Sequence, residues 1–126
     1  PELQADPVLQ RLLTEQQRHN QGQQQHFAQL NKDGIRQYKE GQHLAALALF
    51  EQALELAPMN TGCALNVIQT SLQLLKTRSQ GPGGNLLDRC KKAFRIVDNM
   101  PLPEHHRKRY QELLNQFTQL QPQKRR

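Results

Sequence analysis

At 126 residues the chain is one domain-sized unit, long enough to bury about two thirds of the surface its unfolded form would expose. With 5% aromatics, no Trp and 20 Gln, it predicts a narrow core of Leu and Ala between helices, which excludes a deep ligand pocket. The net charge of +6 is lopsided: residues 1–75 carry five Lys/Arg against seven Asp/Glu, and residues 76–126 carry twelve against four, so an acidic protein surface or a nucleic acid would be drawn to the C-terminal part.

Asp6-Pro7 is a helix start, because Asp accepts from the free amides of the first turn and Pro at the first helical position sacrifices no hydrogen bond. Val8, Leu9, Leu12 and Leu13 then form one apolar stripe, after which EQQRHNQGQQQ is almost wholly polar. Gln favours helix and Gly22 opposes it, so this segment is either a continuing solvated helix or a break. With too little apolar surface for a core, residues 1–26 read as a linker and N-terminal helix.

From Phe27 the pattern changes. Phe27, Leu30, Gly34 and Tyr38 step along one helical face, Gly41 supplies a turn, and residues 43–57 form a helix with Ala46, Leu47, Phe50, Ala53 and Leu54 inward, stopped by Pro58. Residues 61–76 predict a helix whose broad apolar face must be covered on more than one side. The Gly-Pro-Gly-Gly core of residues 77–85 predicts a loop. A helix to about Asn99 follows, with Leu86, Leu87, Cys90, Phe94 and Val97 inward, and then a last helix over 104–121 carrying Tyr110, Leu113, Leu114, Phe117 and Leu120. The basic tail, 122–126, has nothing to pack and is expected to be disordered.

Residues 27–60 resemble one unit of the tetratricopeptide repeat, with Gly34, Tyr38, Gly41, Ala46, Phe50, Ala53 and Pro58 at its signature positions. Small residues there let paired helices approach, the aromatic fills the space beside them, and the proline ends the second helix. Leu30 and Asp33 depart from the pattern. The resemblance implies an all-α fold of antiparallel helix hairpins, about six helices in all: a domain over 27–121 with a repeat at 27–60, a degenerate repeat at 61–100 and a capping helix at 104–121. The run from Asn31 onward is also similar to the tetratricopeptide region that follows a receiver domain in some bacterial response regulators. That would make the chain, which starts at Pro1 and not at Met, a piece of a larger two-component signalling protein.

By the resemblance, the first helix of each repeat lines a groove that takes a peptide or protein partner. The candidates are Asn31, Ile35, Tyr38 and Lys39 in the first unit and Leu65, Asn66, Gln69 and Gln73 in the second. Asn66 matches an asparagine of the two-carboxylate clamp of chaperone-binding members, but Asn31 and Ile35 stand where that clamp needs lysine and asparagine, so a chaperone tail is not the expected ligand.

A second candidate is a basic patch of Arg89, Lys92, Arg95, Arg107, Lys108 and Arg109, for which an acidic protein is preferred over nucleic acid because no stacking aromatics accompany it. The Val8 to Leu13 stripe is expected either to cover the open end of the first repeat or to pair with a second copy in a homodimer.

No Ser-centred elbow, phosphate-cradling loop or paired carboxylates appear, so no enzyme is expected. Neither is a cofactor or a metal, since no His, Cys and carboxylate set has the spacing of a closed site. Cys63 and Cys90 fall on apolar faces and read as buried free thiols. No signal peptide or membrane-length apolar run is visible, and a cytoplasmic location follows as the expectation.

Overall fold

The computed structural model describes residues 6–77 and 85–120, and within them the chain is all helical. Five helices are described: α1 (Pro7–Lys39), α2 (His43–Leu56), α3 (Thr61–Lys76), α4 (Leu86–Asp98) and α5 (Glu104–Leu120). The expected basic tail, the segment before Asp6 and most of the Gly-Pro-Gly-Gly loop lie outside the described residues.

Among the described residues there are five helices where about six were expected, because the segment before Phe27 and the first helix of the 27–60 unit are one. Asp6 caps α1 by accepting from the Val8 N–H at 2.9 Å, and Pro7 follows it in the first turn. Side-chain pairs one turn apart then support the helix through the polar stretch, Gln16 Nε2 donating to Asn20 Oδ1 and Gln29 Nε2 to Asp33 Oδ1. These bonds and the helix propensity of Gln outweigh the roughly 1 kcal/mol that Gly22 costs.

α1 stops at a Schellman turn, where the Gly41 N–H donates to the Tyr38 carbonyl and the Gln42 N–H to the Gln37 carbonyl. Gly41 has φ +81°, the left-handed conformation that favours glycine. α2 then turns back on α1. Gly34 meets the Phe50 ring, and both residues are equally distant from Gln42, so the two helices run antiparallel.

α3 is the centre of the molecule. Asn60 caps it by accepting from the Cys63 N–H at 2.9 Å. Cys63, Ala64, Leu65, Val67, Ile68, Leu72 and Leu74 are buried, with α2, α4 and α5 all packed against the helix. Ser71 and Thr70 are buried too, each donating its hydroxyl to the carbonyl one turn back.

The inward residues predicted for α2 are all buried. Two apolar assignments change: Leu87 and Leu120 are exposed. α5 closes the far side through Leu113 and an aromatic cluster in which Phe94 lies 5.0 Å from Phe117 and 5.9 Å from Tyr110. The Tyr110 hydroxyl donates to Asp98, and burial, with this bond second, pushes Tyr110 up to about 12. Cys63 and Cys90 are buried free thiols, each raised to about 12 by burial. No described helix is long and apolar enough to cross a membrane.

Two glycines of α1 should respond oppositely to alanine. A Cβ at Gly34 would lie 2.6 Å from Phe50 Cε1 against a ring locked in the core, whereas a Cβ at Gly22 meets nothing within 4 Å. Urea unfolding should show Gly34→Ala less stable by about 1–3 kcal/mol and Gly22→Ala more stable by roughly 0.5–1 kcal/mol. Relief of the Gly34→Ala defect by Phe50→Leu would locate its cause at that contact.

Candidate functional site

Three helices present residues at helical spacing to one side of the molecule. α1 supplies Asn31, Ile35, Tyr38 and Lys39, α3 supplies Asn66, Gln69, Thr70 and Gln73, and α5 supplies Arg109, Glu112, Leu113 and Gln116. Each set repeats at three or four residues, so each is one face of its helix. All but Asn31, which joins through its bond to Asn66, line a groove made of two adjoining hollows that share Tyr38 and Gln69, the one toward α1 mainly apolar with Phe50 in its wall and the one toward α5 mainly polar. One, of about 310 Å³, lies toward α1, and the other, of about 300 Å³, lies toward α5.

A chain of hydrogen bonds crosses the floor. Asn66 on α3 donates through Nδ2 to Asn31 Oδ1 at 3.1 Å and accepts at Oδ1 from Arg109 Nη2 at 2.8 Å. Arg109 Nη2 also donates to Gln69 Oε1 at 2.8 Å, and Gln69 Nε2 reaches the Tyr38 hydroxyl at 3.5 Å, the long limit for such a bond. α1 and α5 are thereby tied to α3 through two carboxamides, each giving with its nitrogen and accepting with its oxygen.

Arg109 is half-buried, and among the described residues no carboxylate pairs with it. Both of its acceptors are neutral. Burial lowers its pKa, with the nearby Tyr38 acting in the opposite sense. Lys76 stands at the α5 end of the groove, donating to Gln116 Oε1 at 2.6 Å, and Lys39 stands exposed at the α1 end. Glu112 is the one carboxylate among the lining residues, so the groove carries excess positive charge.

All seven groove candidates, Asn31, Ile35, Tyr38, Lys39, Asn66, Gln69 and Gln73, lie on this side. Leu65 does not: it is fully buried in the core, and its expected place in the groove is corrected. Arg109, Glu112 and Gln116 were missed as groove residues because α5 was expected only as a capping helix, and Lys76, at the last turn of α3, was not among the groove candidates. The signal was there in the spacing, since Arg109 precedes the buried Leu113 by one helical turn and so shares its inward face.

The six basic residues do not form one surface. Arg89 crosses from α4 to α2, where its Nε donates to Glu51 Oε2 at 3.0 Å and its Nη2 to Glu51 Oε1, and this bidentate bond raises its pKa. Arg89 and Lys92 flank a separate groove of about 390 Å³ between α2 and α4, floored by Leu54, Val67, Ala93 and Ile96. Arg107 pairs with Glu104 at 3.4 Å, an exposed contact of small energetic weight. Arg109 turns into the groove, leaving Arg95 and Lys108 as exposed side chains.

Comparison with protein-family models, with curated proteins and with solved structures finds no match to this chain.

Proposed function

We propose that the chain is a protein-interaction module that binds a partner peptide carrying a carboxylate in the groove over α1, α3 and α5. Arg109 carries this reading. A guanidinium stripped of part of its water and held only by two neutral carboxamides keeps donors for an incoming acid, and a carboxylate replacing solvent there makes charge-assisted bonds. Lys39 and Lys76 extend the positive field to both ends, and Tyr38 offers an aromatic wall between them. On the resemblance to tetratricopeptide repeats, the module acts as a scaffold in the output part of a signalling protein. With Arg109 turned into the groove and Arg89 tied to Glu51, the cationic residues do not make the continuous basic track a nucleic acid would need, which favours a peptide.

A peptide array displaying acidic sequences and free C-terminal carboxylates, with amide-capped and neutral counterparts, tests the groove. Acidic members should be retained, and Arg109→Met should weaken the best of them roughly tenfold or more. Retention of acidic and neutral peptides alike, or full affinity in Arg109→Met, would sink the reading.

A second reading, self-association, rests on the N-terminal part of α1. Val8, Leu9, Leu12 and Leu13 are more than half exposed, at 62, 53, 55 and 56%, and none packs on the core. Leu9 and Leu12 precede Phe27 and Leu30 by eighteen residues, five full turns, so the stripe continues the face that α1 turns toward the core. A second copy laid along it would bury that face. Leu9→Glu with Leu12→Glu should convert a dimer to a monomer in light scattering and leave unfolding stability unchanged, whereas a wild-type chain already monomeric at high concentration refutes self-association.

A further inference from the structure

The first turn of α5 rests on the first turn of α3 through an unusual contact. His106 lies against Gly62, where an added Cβ would stand 3.6 Å from the imidazole Cε1 and 3.8 Å from Nε2. Its Nδ1 is enclosed and has no hydrogen-bond partner. The His105 ring stands 4.1 Å away, centroid to centroid.

The balance of charge packed at this point disfavours a positive imidazole. α5 contributes His105 and, one turn on, Arg109; Arg107 and Lys108 follow directly in sequence, and its one nearby acid, Glu104, is a highly exposed side chain that makes a loose pair with Arg107. α3 brings Gly62 and the Asn60 carboxamide, has no acidic residue in its first turn, and has Cys63 turned away, its thiol donating to the Phe50 carbonyl. The positive ends of the α3 and α5 macrodipoles converge on the same spot. An imidazolium must also donate from both nitrogens, and Nδ1 has no acceptor here.

We propose that His106 makes the seating of α5 on α3 sensitive to acid, so that proton uptake by this imidazole lifts the first turn of α5 and withdraws Arg109 from the groove. The two residues are one helical turn apart, and Arg109 reaches Asn66 and Gln69 only while that turn is down. Burial, then His105, then Arg109 hold the His106 pKa below its ordinary value. The folded state therefore binds fewer protons than the unfolded one. The stabilising contribution is complete above the ordinary histidine value and is lost as pH falls below it. That loss falls in mildly acidic solution, a range a signalling module can meet. The importance of the withdrawal for partner binding rests on the groove reading; the seating itself does not.

Amide hydrogen exchange of the full chain at pH 7.5 and 5.5, corrected for intrinsic rates and recorded without any peptide, measures the seating directly. Protection over residues 104–110 should fall several-fold at pH 5.5 while that of α2 holds, and His106→Gln should abolish the difference. An equal fall in wild type and His106→Gln, or no fall in wild type, overturns the proposal. Should the variant not fold, the proton spectrum of wild type decides: the His106 imidazole should titrate below the ordinary value of about 6.5, and a midpoint at or above it refutes the switch. Peptide capture that fails while α5 remains acid-sensitive would count against the groove reading alone.

Discussion

Burial of α3 is the constraint on which the other elements depend. A sixteen-residue helix with Ala64, Leu65, Ile68 and Ser71 fully enclosed cannot stand with its apolar faces open to water. α2, α4 and α5 are each placed by the need to cover one part of it. Its polar residues are sorted by the same demand. Thr70 and Ser71 satisfy their hydroxyls on the helix's own carbonyls, as an apolar setting requires, while Asn66 and Gln69 take the only strip left accessible and become the floor of the groove. Core and site are therefore two faces of one helix, and the position of the site follows from the packing of the core.

The floor works because carboxamides are amphoteric. Asn66 can give to Asn31 with one end and accept from Arg109 with the other, which a carboxylate or a lysine in its place could not do. Neutral acceptors also hold Arg109 without neutralising it. A carboxylate partner at this position would have formed a stronger local pair and left less for a ligand, as the Arg89 to Glu51 bridge between α4 and α2 illustrates. The same half-burial that leaves Arg109 available to an anion makes the region unwelcoming to a further positive charge, which links the groove to the histidine pair one turn earlier.

Much of the fold was legible because its signals are local. Asp6-Pro7, Gly41, Pro58 and the apolar spacing of residues 43–57, 61–76 and 104–120 each announce a boundary or a face within one or two turns of sequence. What was illegible depended on distant contacts. Leu87 and Leu120 carry apolar side chains on the expected helices, but the core is too narrow to receive them. Arg109 looked like one cation in the run HHRKR, and its turn inward is decided by Asn66 and Gln69, forty-three and forty residues away. The pairing of Arg89 with Glu51, thirty-eight residues apart, is of the same kind. Composition showed how much positive charge the C-terminal half holds, but only the packing shows that it is divided among separate surfaces.

The continuity of α1 has a mechanical consequence. Residues 7–26 and the groove residues Asn31 to Lys39 belong to one helix of 33 residues, with no proline inside it after the first turn and with Gly22 held in regular helix. About 1.5 Å of rise per residue puts Leu9 roughly 30 Å from the Phe27 to Leu30 contact, rigidly in phase with it. Anything seated on the exposed stripe is therefore held at a defined distance and rotation from the groove, and a torque on one end reaches the other without a hinge to absorb it. A polar linker that had broken at Gly22 would have separated the two surfaces; a helix that runs through it makes them parts of one lever.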